Sequence, residues 1–250
     1  MIIISGADSY RFDAHINHQN FANHRNIPYK FYSDITVDNG IITAPQFTKI
    51  YAILDAFKEH DQVMWIDDDA FFINFNFDPN EIFAQSDKPF IVNQGANVKS
   101  QHRIFNSGVM FLRRHPDVIK MLEEVLTISE QDKFENWNND WGSAKGCDQP
   151  RLVMLTNTKY QDVIEVLAYE EFPFNRNPRQ SLHRLSHVVH FHGPQWKKVN
   201  EIEHYVKEKI NLYSEKIIAK VHIKRRPIYK WVGGKFRRSN PIAKKFVKED

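Results

Sequence analysis

The stretch Val63-Met64-Trp65-Ile66-Asp67-Asp68-Asp69-Ala70-Phe71-Phe72 runs apolar, breaks into three consecutive carboxylates and turns apolar again. Large hydrophobic side chains in a short run bounded by polar residues read as a buried strand. Any sheet that takes this strand must release Asp67, Asp68 and Asp69 at an edge, because a carboxylate cluster is tolerated beside a core only when a cation balances it. On an extended segment the first and third side chains point the same way, so Asp67 and Asp69 are expected to converge on one ion while Asp68 faces elsewhere. Carboxylate oxygens suit magnesium, manganese or calcium, and magnesium-like ions keep waters or take phosphate oxygens from a substrate. The pattern therefore suggests a diphosphate ligand. The competing reading of an isolated acidic triplet is a solvated turn.

A chain of 250 residues with 42% hydrophobic content can bury a sizeable core, which excludes a disordered tail and predicts one large domain with an appendage. Its single cysteine, Cys147, excludes an internal disulfide framework and any multi-cysteine zinc site. Met1-Ile2-Ile3-Ile4-Ser5-Gly6 reads as a first strand, not a signal peptide, and no segment approaches a membrane-spanning length. A cytoplasmic location is expected, either free or peripheral on the inner face of a membrane.

Charge divides the chain unevenly. From Lys197 onward there are 16 Lys+Arg against 6 Asp+Glu, a net of +10, whereas the remainder holds 18 against 25, a net of −7. This marks residues 201–250 as a basic, partly helical extension of a catalytic domain over 1–200.

Periodicity supplies the fold class. Ile2 to Ile4 is a short strand; His15 to Asn26 is helical; Tyr29 to Ser33 is a second strand. Thr43-Ala44-Pro45-Gln46 resembles a capping box, after which Phe47, Ile50, Tyr51, Leu54 and Phe57 recur at helical spacing and lead to the Gln62–Ile66 strand. Strand and helix alternating in this way predict an α/β architecture with a mainly parallel sheet, whose ligands sit outside the carboxyl ends of the strands. The acidic triplet lies at such an end. Farther on, Phe105-Asn106-Ser107-Gly108 leads into a strand over Val109 to Leu112. A helix follows from Asp117 to Leu126, with Val118, Met121, Leu122 and Val125 as its core face. Ser129 to Gly146 reads as a long irregular loop of the kind that serves as a binding lid, and Asp148 and Gln149 open another helix.

A second chemical signal is Val188-Val189-His190-Phe191-His192-Gly193-Pro194-Gln195-Trp196-Lys197-Lys198, where an apolar strand ends in alternating histidines, a glycine and then cations. Imidazole can complete a metal shell and lysine can neutralise phosphate. A histidine alone would more often be a hydrogen-bonded structural residue; coupled to the acidic triplet it becomes a candidate ligand.

Ile66-Asp67-Asp68-Asp69-Ala70-Phe71-Phe72 resembles the Asp-x-Asp motif of nucleotide-sugar glycosyltransferases with the type-A (GT-A), Rossmann-like fold. The order of parts around it is similar to the galactosyl-, mannosyl- and xylosyltransferases of glycosyltransferase family 34. Those parts are Asn17 to Tyr32, Lys49, Phe105-Asn106-Ser107-Gly108, Asp148-Gln149 and His190-Phe191-x-Gly193. Ala7-Asp8-Ser9-Tyr10 resembles the nucleotide-binding Ala-x-Asp-x-x-Tyr region of family 8, one residue shorter. His190-x-x-Gly193-x-x-Trp196-Lys197 is similar to that family's His-x-x-Gly-x-x-Lys-Pro-Trp, with the last residues in a different order.

The resemblance implies that Asp69 and His190 hold a manganese or magnesium ion, with Asp67 on the metal or the ribose. It places Ala7, Asp8 and Tyr10 at the base, Lys49 and Lys197 (or Lys198) at the diphosphate, and the Asn106-Ser107-Gly108 turn with Gly193 around the donor. Asp148 would accept hydrogen bonds from sugar hydroxyls, and Gln149 would sit beside the reacting carbon. The implied partners are a UDP-hexose donor, with GDP-mannose as the other choice, and a glycan or glycolipid acceptor. Retention of anomeric configuration is implied as well; inversion would need a carboxylate base, for which Glu170 and Glu171 are the candidates.

Two other classes use some of these residues. A metal-dependent phosphohydrolase would also employ Asp67 and Asp69, but the haloacid dehalogenase type wants a threonine where Ala70-Phe71 stands. A nucleic-acid-binding module would explain the basic tail and leave the acid cluster without a purpose, so no nucleic-acid partner is expected. The tail itself interleaves cations with Tyr229, Trp231, Phe236 and Phe246, which suits a membrane surface; a helical appendage packed on the domain is the alternative, because Pro227, Gly233-Gly234 and Pro241 interrupt any long amphipathic helix.

Overall fold

A computed structural model describes residues 1–7, 12–33, 47–95, 104–142, 148–169, 172–176, 186–191, 195–205, 228–232 and 235–239. Its elements in chain order are β1 (Ile2–Ala7), α1 (Ala14–Arg25), β2 (Tyr29–Ser33), α2 (Thr48–Ala56), β3 (Gln62–Ile66), β4 (Ala70–Phe72), α3 (Pro79–Phe83), β5 (Phe90–Gln94) and β6 (Phe105–Arg113). They continue with α4 (Pro116–Thr127), α5 (Glu130–Glu135), α6 (Asp148–Thr158), β7 (Ile164–Leu167), β8 (Val188–His190), α7 (Gln195–Tyr205), β9 (Ile228–Val232) and β10 (Lys235–Ser239).

Six strands form the central sheet in the order β2-β1-β3-β6-β5-β7. β1 pairs in parallel with β2 and β3, β5 pairs in parallel with β7, and β6 alone runs against its two neighbours. The sheet is mostly parallel, as expected, and both faces are covered. One face carries Ile2, Ile4, Val63, Trp65 and Met110 against α2, α4 and α6; the other carries Ile3, Met64, Ile66 and Phe111 against Phe21, Phe72 and Phe174. Burial on both sides explains why β1 and β3 read as continuous apolar runs and not as alternating ones.

Several elements match the sequence pattern residue for residue: β2, β3, and the buried Val118, Met121, Leu122 and Val125 face of α4. Others differ. β1 runs on through Ser5 and Gly6 to Ala7, because the parallel ladder to β2 continues to the Ala7–Ser33 pair. The expected Asn106-Ser107-Gly108 turn is instead the first part of β6, drawn into the sheet by pairing of Phe105 with Gln94. The expected irregular loop after Ser129 contains α5, capped by the Ser129 side chain on the Asp132 backbone N–H, and a single 3-10 turn at Asn139–Trp141. The capping box at Thr43 to Gln46 lies outside the described residues. α7 crosses the boundary placed at residue 200, and the described part of the extension beyond it is an antiparallel hairpin, β9 with β10.

A separate two-stranded ribbon positions the chemistry. β4 and β8 pair antiparallel with Ala70 opposite His190, Phe71 opposite Val189 and Phe72 opposite Val188. α1 braces the outer edge of this ribbon: Asn17 Nδ2 donates to Phe72 O (3.0 Å), Phe72 N donates to Asn17 Oδ1 (2.7 Å), and His18 Nε2 donates to Ala70 O (2.8 Å). Phe21 stacks on Phe72 with ring centroids 3.6 Å apart. Three side chains of one helix thus satisfy and anchor a strand of only three residues.

Candidate functional site

The acidic triplet forms a turn, not an extended strand. Asp67 leaves β3 with its backbone N–H bonded to Gly108 O (2.8 Å), and Ala70 N returns to Asp67 O (3.1 Å). Convergence of Asp67 and Asp69 comes from this turn instead of strand alternation. Register of the β4–β8 ribbon then sets His190 beside them, with Phe191 N donating to Asp69 O (2.9 Å).

Nε2 of His190 lies 3.0 Å from Asp69 Oδ1 and 3.7 Å from Asp67 Oδ2. One ligand atom from each of the three residues falls within 4.8 Å of the others, a spread that a single ion with bonds of about 2.0–2.6 Å can span. The remaining carboxylate oxygens are each held by a lysine. Asp67 Oδ1 meets Lys49 Nζ at 3.1 Å and accepts from Trp65 Nε1 at 2.7 Å, while Asp69 Oδ2 pairs with Lys198 Nζ. Each carboxylate is thereby turned so that its other oxygen faces the imidazole. Burial alone would raise the Asp69 carboxyl, but His190 and Lys198 outweigh it and hold the group well below the usual carboxylate range.

Lys49 is buried in α2 and joins this centre to a second one. Its Nζ reaches Asp148 Oδ2 (3.0 Å), Ser107 O (3.2 Å) and Ser107 Oγ (3.2 Å) besides Asp67. Burial opposes its charge, and Asp148 and Asp67 reverse that, so the ammonium stays protonated above the ordinary lysine range. Ser107 Oγ donates to Asp148 Oδ2 (3.0 Å), and Ser107 N donates to Gln149 Oε1 (3.1 Å). The start of β6 and the first turn of α6 are locked together here.

The structure thus brings together Lys49, Asp67, Asp69, Asn106, Ser107, Gly108, Asp148, Gln149 and His190. Ala7 is the buried last residue of β1. Asp8, Tyr10, Glu170, Glu171, Gly193 and the side chain of Lys197 lie outside the described residues. Asn175 was not among the expected site residues, yet its Oδ1 lies 2.9 Å from His190 Nδ1. The apolar Phe172-Pro173-Phe174 lead-in is the only sequence signal that it is held in place. Lys198, named only as the alternative to Lys197, is the cation the described residues place on Asp69.

No protein-family model matches this sequence, and no curated protein does. Solved structures do. A glycosyltransferase involved in the glycosylation of the major capsid of PBCV-1 superposes with a TM-score of 0.57 at 16% identity, over 81% of this chain and 97% of that one. The chain has the GT-A glycosyltransferase fold. The apo-form glycosyltransferase GlyE of Streptococcus pneumoniae TIGR4 superposes with a TM-score of 0.51 at 12% identity, over 84% of this chain and 64% of that one. In this fold the Asp67-to-Asp69 turn leaves the carboxyl end of a central strand, where open α/β sheets bind their ligands. Among the described residues no helix is long and apolar enough to cross a membrane.

Proposed function

We propose that this protein is a metal-dependent glycosyltransferase that moves a hexose from a nucleoside-diphosphate sugar, UDP-galactose or UDP-glucose first, to a glycan or glycolipid acceptor with retention of configuration. The single observation that carries the reading is the meeting of Asp67, Asp69 and His190 at the strand-end rim, one side chain away from the Lys49–Asp148–Ser107–Gln149 cluster. Two carboxylates and an imidazole are a donor set that manganese accepts, and the free faces of such an ion suit diphosphate oxygens. When bound, the ion would stabilise negative charge on the leaving diphosphate.

The chain's own residues account for the rest. Asp148 and Gln149 present polar atoms beside the cation site and are suited to hold sugar hydroxyls. Lys49 pairs with both Asp67 and Asp148 and holds the two carboxylates side by side. As the bond from the anomeric carbon to the diphosphate oxygen breaks, its electron pair stays on that oxygen; the acceptor hydroxyl bonds to the carbon from the same face and its proton passes to the departing phosphate. Interactions that strengthen only as this charge separates accelerate the step.

In this reading residues 1–200 form the catalytic body and the basic extension brings it to a membrane surface. The hairpin register supports that role, with Trp231 opposite Phe236 and Lys230 opposite Arg237. Incubation with manganese and a panel of UDP- and GDP-hexoses tests the catalytic proposal. One donor should raise thermal stability and be slowly hydrolysed without acceptor. Release of phosphate from simple monoesters, with no nucleotide sugar bound or cleaved, would overturn it in favour of a phosphohydrolase.

A further inference from the structure

We propose that Asn175 is the positioning residue of the cation site: it fixes the ring orientation and tautomer of His190 through Nδ1, so that Nε2 is the nitrogen left for an ion. The inference rests on the cation reading above and adds to it a residue outside the Asp67–Asp69–His190 set.

Asn175 is buried and sits between two anchored neighbours. Phe174 is fully buried, edge-on to Phe111 with centroids 5.0 Å apart, and Arg176 forms a parallel bridge to Val189, with His190 N donating to Arg176 O at 2.8 Å. The carboxamide is therefore carried alongside β8 at the level of the His190 ring.

Its orientation follows from backbone groups whose polarity cannot be reversed. Asn175 Nδ2 lies 3.0 Å from Asn106 O, a carbonyl that only accepts, so that end of the amide is the NH2. The same Nδ2 reaches Asn106 Oδ1 at 3.2 Å, and that oxygen also accepts from Gly108 N at 2.8 Å, a group that only donates. Both amides are thus assigned by the network. The end of Asn175 facing His190 Nδ1 at 2.9 Å is then its oxygen, which cannot donate, so Nδ1 carries a proton.

This matters because the carboxylates pull the other way. Asp69 Oδ1 and Asp67 Oδ2 flank Nε2 and favour a proton there, which in a singly protonated ring would put the lone pair on the wrong nitrogen. Asn175 counters them. An outer hydrogen bond of this kind orients a ligating histidine and typically contributes about 10–100-fold to metal affinity.

The test measures manganese affinity calorimetrically for the wild-type chain, Asn175→Leu and Asn175→Asp, with histidine 15N spectra of the zinc-loaded wild type in which His190 is assigned by its loss in His190→Gln. Asn175→Leu keeps the shape and removes the acceptor, and should bind manganese about 10–100-fold more weakly. Asn175→Asp keeps an acceptor toward Nδ1 while its second oxygen meets the two acceptors of Asn106, and should lose less than about tenfold. The spectrum should show the proton on Nδ1 and the metal on Nε2. Wild-type affinity in Asn175→Leu, a loss beyond about tenfold in Asn175→Asp, or a metal on Nδ1 would each overturn the inference while leaving the cation site standing. Should Asn175→Leu fail to fold, the aspartate variant and the wild-type spectrum still decide. If the wild-type chain binds no manganese, the cation reading falls and this inference with it.

Discussion

The His190 ring lies against the backbone of Gly108 so closely that a Cβ there would overlap its Cε1 and Nδ1 atoms. β6 carries no side chain where the His190 ring of β8 lies against it. Gly108→Ala is expected to push the ring out of line with Asp67 and Asp69. Manganese affinity should fall at least about tenfold, with a stability loss of about 1–3 kcal/mol from overpacking. Unchanged affinity, measured by calorimetry, would show that the close approach has no bearing on the cation site.

Asp69→Asn removes the charge on which His190 and Lys198 converge without changing side-chain volume. Manganese-dependent binding of UDP should drop to its metal-free level while far-UV circular dichroism stays that of the wild type. Retention of metal-dependent UDP binding would refute the ligand assignment.

Lys49→Met leaves Asp67 and Asp148 facing each other without their shared ammonium. Removing one partner from such a buried group costs about 3 kcal/mol or more. Adding Asp148→Asn should recover part of that loss, giving a coupling of about 1 kcal/mol or more in a double-mutant cycle of denaturant unfolding. Strict additivity of the two substitutions would argue that Lys49 does not hold the carboxylates together.

His18 is fully buried, and burial pushes its imidazole down from 6.5 to about 4. A folded-state value below the unfolded one means that the unfolded chain takes up the proton first as pH falls. The stabilisation from neutral His18 is therefore complete above about pH 6.5 and is lost between about 6.5 and 4, by about 3 kcal/mol in all. His18→Gln, which can still donate to Ala70 O, should flatten this part of the stability profile. An equally steep profile in the variant would assign the slope to other groups.

Deleting residues 228–250 removes the β9–β10 hairpin as a unit together with the basic residues that follow it. Retention on anionic vesicles should fall sharply and recover in neither high nor low salt, whereas turnover of a soluble acceptor should be maintained. Equal vesicle binding by both chains would count against a membrane role for the extension.

Local pattern made much of this fold legible. The apolar runs of β2 and β3 and the Val118, Met121, Leu122 and Val125 face of α4 are written in nearest-neighbour periodicity, and the structure keeps their boundaries or faces. β6 was legible only from Val109 onward, because Asn106, Ser107 and Gly108 have turn chemistry and enter the sheet through pairing with a strand that periodicity does not reveal. α5 was missed because six residues rich in charge carry too little apolar rhythm to announce a helix.

The candidate site divides along the same line. Hydrophobic runs fix where a chain must leave the core, and from them Asp67 and Asp69 could be placed at the end of one buried strand and His190 at the end of another. Folding alone sets His190 opposite Ala70 through the β4–β8 register, pairs Lys49 with Asp67 and Asp148, and turns Asn175 toward Nδ1. Those relationships join residues of different elements, up to 120 positions apart, and they are set by cross-strand register and by the need to satisfy buried polar groups, neither of which leaves a periodic trace in the order of amino acids.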